Sequence, residues 1–296
     1  MTGRPRVLAI ALVFALPGAA AAAQYQASPT QESLAPAESS LRMALAEGRP
    51  VIGATVTVPN VDTALTLANA GFDFLWIEME HGPMTLESLR AILLATRGAK
   101  AVPLTRVPAN ELWLAKRVLD EGSLGVVFPF TSTRELAERA VASCRYPPLG
   151  DRGFGPALAL SRYGMSGPEY VRFANENVLV VVIVERKEAV ENIEAIASVP
   201  GIGVLFVGVN DLSFSLGVGG RTTDPLVEQA LTKVLEAGRR HGVPVGYPSG
   251  DAAEINRRIA QGFRFFQASS DLGLMAGAAR DMLSKVDRGG TLAPHP

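Results

Sequence analysis

Residues 178–185 read VLVVVIVE, seven apolar residues, most of them β-branched, ending in a carboxylate. A strand with one wet face alternates apolar and polar residues. This one does not alternate, so both its faces must be covered, as in a parallel strand packed between helices. Runs of the same length recur on either side: VIGATVTV (51–58), FLWIEM (74–79), AVPLTRV (101–107), GVVFPF (125–130), GVLFVG (203–208), VPVGY (243–247) and FRFFQAS (263–269). Helical patterns lie between them, including VDTALTLANAG (61–71), LESLRAILLATRG (86–98), ELWLAKRVLDEG (111–122) and TRELAERAVASC (133–144). Several close on glycine, which tolerates the left-handed cap. Eight such repeats in roughly 240 residues predict an α/β protein, a (β/α)8 TIM barrel spanning 40–287, with an open doubly wound sheet as the competing arrangement. A first helix is expected over SSLRMALAEGRP (39–50), with Ser40 as N-cap, Gly48 as stop and Pro50 beyond. The connection from Ser143 to Asn177 is overlong, and a loop of that size in a compact barrel is usually functional.

The chain has 296 residues, 48% hydrophobic and 19% charged, enough apolar material for a large core. Its net charge of −1 offers nothing to a nucleic acid backbone. The one cysteine, Cys144, cannot form an intrachain disulfide and reads as a small apolar residue near a helix end. The N-terminus pairs basic MTGRPR with apolar VLAIALVFAL and small-residue PGAAAAAQ, the layout of a secretory signal peptide over 1–23 cleaved near Ala23. An uncleaved anchor is the alternative. The expectation is therefore an exported, periplasmic protein with no membrane contact after cleavage, a polar linker over 24–39 and a frayed tail over 288–296.

In a barrel of this kind the active site lies where strands end and β→α loops begin. Polar residues at those ends are Glu80 and His81 after the second run, Arg106 in the third, Glu185 in the fifth, Asn210 and Asp211 after the sixth, and Ser270 and Asp271 after the eighth. A carboxylate at the end of an apolar strand is costly unless paired or metal-bound. Glu185 and Asp211, on neighbouring strands, suit a hard divalent cation with positions left for water and substrate. The alternative is structural, with Glu185 paired to Arg186 or Lys187 and Asp211 capping a helix. Of three histidines, His295 is in the tail and His241 precedes a strand on the opposite face, leaving His81 as a candidate general base or a loop cap. Too few histidines remain for a His-based zinc site, and no P-loop, dinucleotide fingerprint or GxSxG elbow occurs. Only Lys187 lies near a strand end, which gives thin support to a Schiff base.

EHGP at 80–83, LTRVP around Arg106, YPPLGDRG at 146–153, the strand ending in Glu185, VGVNDLSFSLG at 207–217 and GFRFFQASSDLGLM at 262–275 together resemble the HpcH/HpaI aldolases. The likeness runs from about Leu41 to Met282. It implies a barrel of the phosphoenolpyruvate/pyruvate-binding type and a class II pyruvate aldolase that makes or cleaves 4-hydroxy-2-keto acids with Mg, Mn or Co. It implies Glu185 and Asp211 as metal ligands and Glu80 as a partner of metal-bound water. His81 would be the base acting through such a water, Asp120 the acid that orients it, and Arg106 the holder of the keto oxygen. The amides of Asn210 and Asp211 would take the carboxylate. Glu78 and Ser270 would also contact substrate, Glu78 standing where an aspartate is expected near the aldehyde. Ile183 replaces a glutamine and Val209 a proline. Small keto acids and aldehydes are the implied partners, in a homo-oligomer, a hexamer by resemblance. Two other readings are a CoA-thioester lyase of the citrate-lyase-like branch and a non-catalytic exported carboxylate-binding protein.

Overall fold

The structure, a computed structural model, describes residues 35–287. The expected signal segment, the tail and the linker up to residue 34 lie outside the described residues. The chain begins with α1 (Ala35–Ala46), then β1 (Val51–Val56), α2 (Val61–Ala68), β2 (Phe74–Glu78), α3 (Leu86–Ala95), β3 (Val102–Arg106), α4 (Leu112–Asp120), β4 (Gly125–Phe128) and α5 (Arg134–Cys144). It continues through α6 (Ala157–Tyr163), α7 (Gly167–Asn177), β5 (Leu179–Val184), α8 (Lys187–Glu191), α9 (Ile193–Ala197), β6 (Val204–Val207) and α10 (Val209–Ser215). It ends with α11 (Pro225–His241), β7 (Val245–Pro248), α12 (Ala252–Gln261), β8 (Phe265–Ser270) and α13 (Asp271–Ser284).

All eight strands pair in parallel and in chain order, and β8 closes on β1. Closure removes the open-sheet alternative. Each apolar run contains one strand, and most strands stop one or two residues inside the run, where the backbone leaves the ladder for the loop. Helix α1 starts at Ala35, five residues before the expected Ser40 cap. Pro36 falls in its first turn, where a missing N–H breaks no helical bond.

The 143–177 connection is not a structureless loop. It folds into α6 and α7 after a turn over 145–156 that hydrogen-bonds back to the end of α5, Asp151 N–H to Ala142 C=O at 2.9 Å and Arg152 N–H to Arg145 C=O at 2.9 Å. It therefore belongs to the N-terminal end of the barrel, away from the loops that follow the strands. Cys144 is fully buried there, and burial pushes its thiol up to about 12, so it packs rather than reacts.

The barrel interior is aromatic. Phe74 stacks on Phe265 with ring centroids 4.3 Å apart, Phe206 meets Phe265 edge-on at 6.2 Å, and Trp76 lies 4.9 Å from Phe206. Gly53 on β1 makes room for this layer, since a Cβ there would stand 2.2 Å from the Phe74 ring. Gly53→Ala is expected to destabilise by about 1–3 kcal/mol, the usual cost of overpacking a filled core, as a lowered midpoint in denaturant melts.

Candidate active site

At the C-terminal ends of the strands a cavity of about 220 Å³ gathers His81, Arg106, Glu185, Asn210, Asp211 and Gln267. Larger hollows of about 490 and 720 Å³ open at the other end, between the starts of β7 and β8 and of β2 and β3, without a convergent set of carboxylates.

Glu185 follows β5 and is 4% exposed. Its Oε1 accepts the Phe130 N–H at 2.5 Å, and Oε2 accepts no hydrogen bond from a described residue. Phe130 has φ of 51°, a left-handed conformation that a bulky residue adopts at a cost, and this turn delivers its N–H to the carboxylate. Gly208 leaves space beside Glu185, for a Cβ there would lie 3.0 Å from Oε2. The structural alternative for Glu185 does not form: Arg186 lies over the Phe130 ring at 4.7 Å, and Lys187 pairs with Glu191 at 3.7 Å, outside the cavity. Burial pushes the Glu185 carboxyl up to about 7; the Phe130 N–H opposes that rise, Glu80 and Asp211 reinforce it, and Arg106 opposes it.

Asp211 lies in the first turn of α10, whose N-cap is Gly208, so it caps nothing, and its carboxylate bonds to no described residue. With no side-chain cap, the first-turn N–H groups of α10 have no helical acceptor and lie along the cavity wall.

Arg106 ends β3. Its Nε donates to Glu78 Oε2 at 2.6 Å, Nη2 forms an ion pair with the same oxygen at 2.6 Å, and Nη1 lies 3.1 Å from Glu80 Oε2. That last contact joins the charges without an aimed N–H, so Glu80 Oε2 is buried and receives no hydrogen bond. Burial raises the Glu80 carboxyl; the charges of Arg106 and His81 oppose it, and those of Glu78 and Asp211 add to it. His81 is well exposed, with Nε2 3.7 Å from Glu80 Oε2.

These residues fit a divalent cation. Glu185 and Asp211 each keep oxygens free, an unbonded buried Glu80 oxygen lies nearby, and Glu185 resists ionisation for want of positive charge. Among the described residues no group of three or more His, Cys, Asp or Glu has metal-holding geometry, so a cation here would have two protein ligands and open positions.

Three expected contacts are placed elsewhere. Glu78 is 3% exposed and does not line the cavity. Its oxygens accept from Trp76 Nε1 at 3.1 Å, Glu80 N at 2.7 Å, His81 N at 3.0 Å and Arg106. Burial alone would raise this carboxyl, but Arg106 and the two backbone N–H groups bring it below its ordinary value. Glu78 thus clamps Arg106 and the Glu80–His81 loop. Ser270 caps α13, accepting the Gly273 N–H at 3.0 Å. Its neighbour Asp271 accepts the Thr57 and Val58 N–H groups, each at 2.9 Å, and holds the β1 loop against α13. Asp120 ends α4, just before β4, and therefore lies at the opposite end of the barrel from His81. There it pairs with Arg152 at 3.0 Å. A helix that returns antiparallel to its strand carries its last residue to the wrong end for contact within one chain.

Sequence reading missed Trp76, Phe206, Pro248 and Gln267 as cavity walls. A signal existed for Gln267 alone, a primary amide inside the apolar run of β8.

Residues 55–278 match the HpcH/HpaI aldolase/citrate lyase family. This chain belongs to that family. A 5-keto-4-deoxy-D-glucarate aldolase of Citrobacter koseri is 34% identical over 241 residues, covering 81% of this chain and 93% of that protein. The crystal structure of an HpcH/HpaI aldolase/citrate lyase family protein from Burkholderia cenocepacia J2315 superposes with a TM-score of 0.77 at 36% identity, over 83% of this chain and 98% of that one. An HpcH/HpaI aldolase from Desulfitobacterium hafniense DCB-2 superposes with a TM-score of 0.78 at 27% identity, over 85% and 99%. The chain is an aldolase, a carbon–carbon lyase acting on a small molecule, built on a TIM barrel.

Proposed function

We propose that this aldolase is divalent-metal-dependent and cleaves or forms 4-hydroxy-2-keto acids by way of a pyruvate enolate. The observation behind this reading is the convergence of Glu185 and Asp211 on one small cavity with Arg106 and His81, with Glu185 pushed up to about 7 by burial and by the nearby charges of Glu80 and Asp211. Glu185 and Asp211 would hold the cation, which when bound supplies Lewis-acid polarisation of the keto carbonyl. The first-turn amides of α10 bind the carboxylate of the keto acid, as an uncapped helix start does for anions. Arg106, held rigid by Glu78, faces the keto oxygen and stabilises the negative charge that develops there. His81, exposed at the rim, takes the methyl proton and returns it in the reverse direction. The aromatic floor excludes water beneath the reacting carbon.

The name of the Citrobacter koseri relative adds a substrate candidate, a 5-keto-4-deoxy-glucarate; breaking the bond between its hydroxyl-bearing C3 and the C4 methylene leaves C3 as an aldehyde and C4, once protonated, as the methyl of pyruvate. We include in the same reading export through residues 1–23 and assembly into a homo-oligomer, since Asp120 and His81 could pair only between two copies. Pyruvate release from 4-hydroxy-2-keto acids, measured with and without a chelator, tests the core of it. Release is expected to stop on chelation and resume when Mg²⁺, Mn²⁺ or Co²⁺ is restored. Activity that survives complete metal stripping would overturn the metal-dependent reading.

A further inference from the structure

Arg106 and His81 reach the cavity from different parts of the barrel, Arg106 from the end of β3 and His81 from the loop after β2. One carboxylate holds both. Glu78 ends β2 and lies opposite Arg106 in the β2–β3 ladder. Its Oε1 accepts the Glu80 N–H at 2.7 Å and the His81 N–H at 3.0 Å. Its Oε2 accepts Arg106 Nε at 2.6 Å and Trp76 Nε1 at 3.1 Å. The two oxygens are thus divided, one for the backbone that carries His81 and one for the guanidinium.

The loop depends on this side chain. Residues 80–84 make no backbone–backbone hydrogen bond among the described residues. The last such bond before them runs from Met79 N–H to Arg106 C=O at 3.1 Å. Beyond it, the two bonds to Glu78 Oε1 are what fixes the course of the backbone into His81. An ion pair with Arg106 alone would already offset the burial of a carboxylate, and it would leave this loop unanchored.

Proton removal from the methyl carbon and charge growth on the keto oxygen belong to one step, so the base and the guanidinium must both be in place at once. Resting on the proposed aldolase reading, we propose that Glu78 is a positioning residue that holds Arg106 and His81 in one fixed relation and acts on the reaction through both. A role as an aldehyde contact makes the opposite prediction for a reaction that contains no aldehyde.

Exchange of the pyruvate methyl protons with solvent, followed by NMR on the full-length protein with Mg²⁺ and no aldehyde, is such a reaction. Glu78→Gln keeps the shape but turns one oxygen into a donor, so it cannot serve both sides. It is expected to slow exchange at saturating pyruvate by about 10²-fold, the cost of a displacement of about 1 Å. Mg²⁺ affinity in calorimetry is expected to change less than about threefold. In an Arg106→Lys background, where the forked pairing is already lost, Glu78→Gln is expected to cost about tenfold less than in wild type. Glu78→Asp, charged but on a shorter arm, serves should the amide fail to fold, and it too is expected to slow exchange. Exchange at the wild-type rate with slowed aldol cleavage overturns the assignment and places Glu78 at the aldehyde. A lowered melting midpoint with unchanged exchange overturns it in favour of a structural role, and equal losses in the two backgrounds overturn the link to Arg106. Each of these leaves the aldolase reading intact, whereas a wild type that exchanges no methyl proton with Mg²⁺ overturns both.

Discussion

His81→Ala is expected to abolish exchange of the pyruvate methyl protons with solvent while leaving divalent-cation binding as it was. The imidazole is at the cavity rim, and its ionic neighbour among the described residues is Glu80 at 3.7 Å. It packs against no core group whose loss would unfold the site. A positioned general base is worth roughly 10²–10⁴-fold in rate, so loss of that order is anticipated in exchange followed by NMR. Glu185→Ala should behave differently. Glu185 is buried, keeps an oxygen towards the cavity and is set in place by the Phe130 N–H, so its removal should eliminate cation binding in calorimetry and exchange along with it. Identical behaviour of the two variants, both losing the cation or both keeping it, would show that the division of labour between base and ligand is wrong.

The second large effect is on stability, and it reverses with the cation. In metal-free protein the Glu185 carboxyl is pushed up to about 7, first by burial. In the unfolded chain it titrates near ~4.3. As pH rises through that interval the unfolded state gives up its proton while the folded state holds it, so folding is progressively penalised. The penalty is absent below about pH 4 and complete by about pH 8, on the order of 3 kcal/mol. Glu185→Gln keeps the shape and an acceptor for the Phe130 N–H without the charge. In the presence of a chelator it is expected to melt several degrees above wild type at pH 8 and level with it near pH 4.5. With Mn²⁺ in large excess the order inverts. Wild type gains about 2.7 kcal/mol at a hundredfold excess over Kd, and the variant gains nothing. A metal-free variant that melts below wild type at pH 8 would mean that Glu185 is a satisfied structural carboxylate and not one waiting for a cation.

Both experiments turn on a distinction that the strand ends alone do not make. Glu78, Glu80, Glu185 and Asp211 all follow or end apolar strands, and by sequence each is a candidate. In the fold they divide sharply. Glu78 is saturated by Arg106, Trp76 and two backbone N–H groups, whereas Glu185 and Asp211 keep free oxygens. The same holds for the serine and aspartate that end β8. Ser270 caps a helix and Asp271 staples a loop, because the chain turns directly into α13 there. Asp120 shows the limit most plainly. Its place in α4 was readable, but helix direction sends it to the far end of the barrel, where Arg152 claims it.

What the sequence determined by itself was local and periodic: eight unbroken apolar runs, the helices between them, and hence the barrel, its active end, and His81, Arg106, Glu185 and Asp211 as residues at its mouth. These follow from hydrophobic period and from parallel strands all ending on one face, and both can be read along the chain. Only the tertiary structure decided which of those groups is left unbonded, that Glu78 serves Arg106, and that Gln267 enters the cavity wall from β8. A carboxylate or amide is spent or available according to the donors within about 3 Å of it, and those come from strands far apart in the sequence.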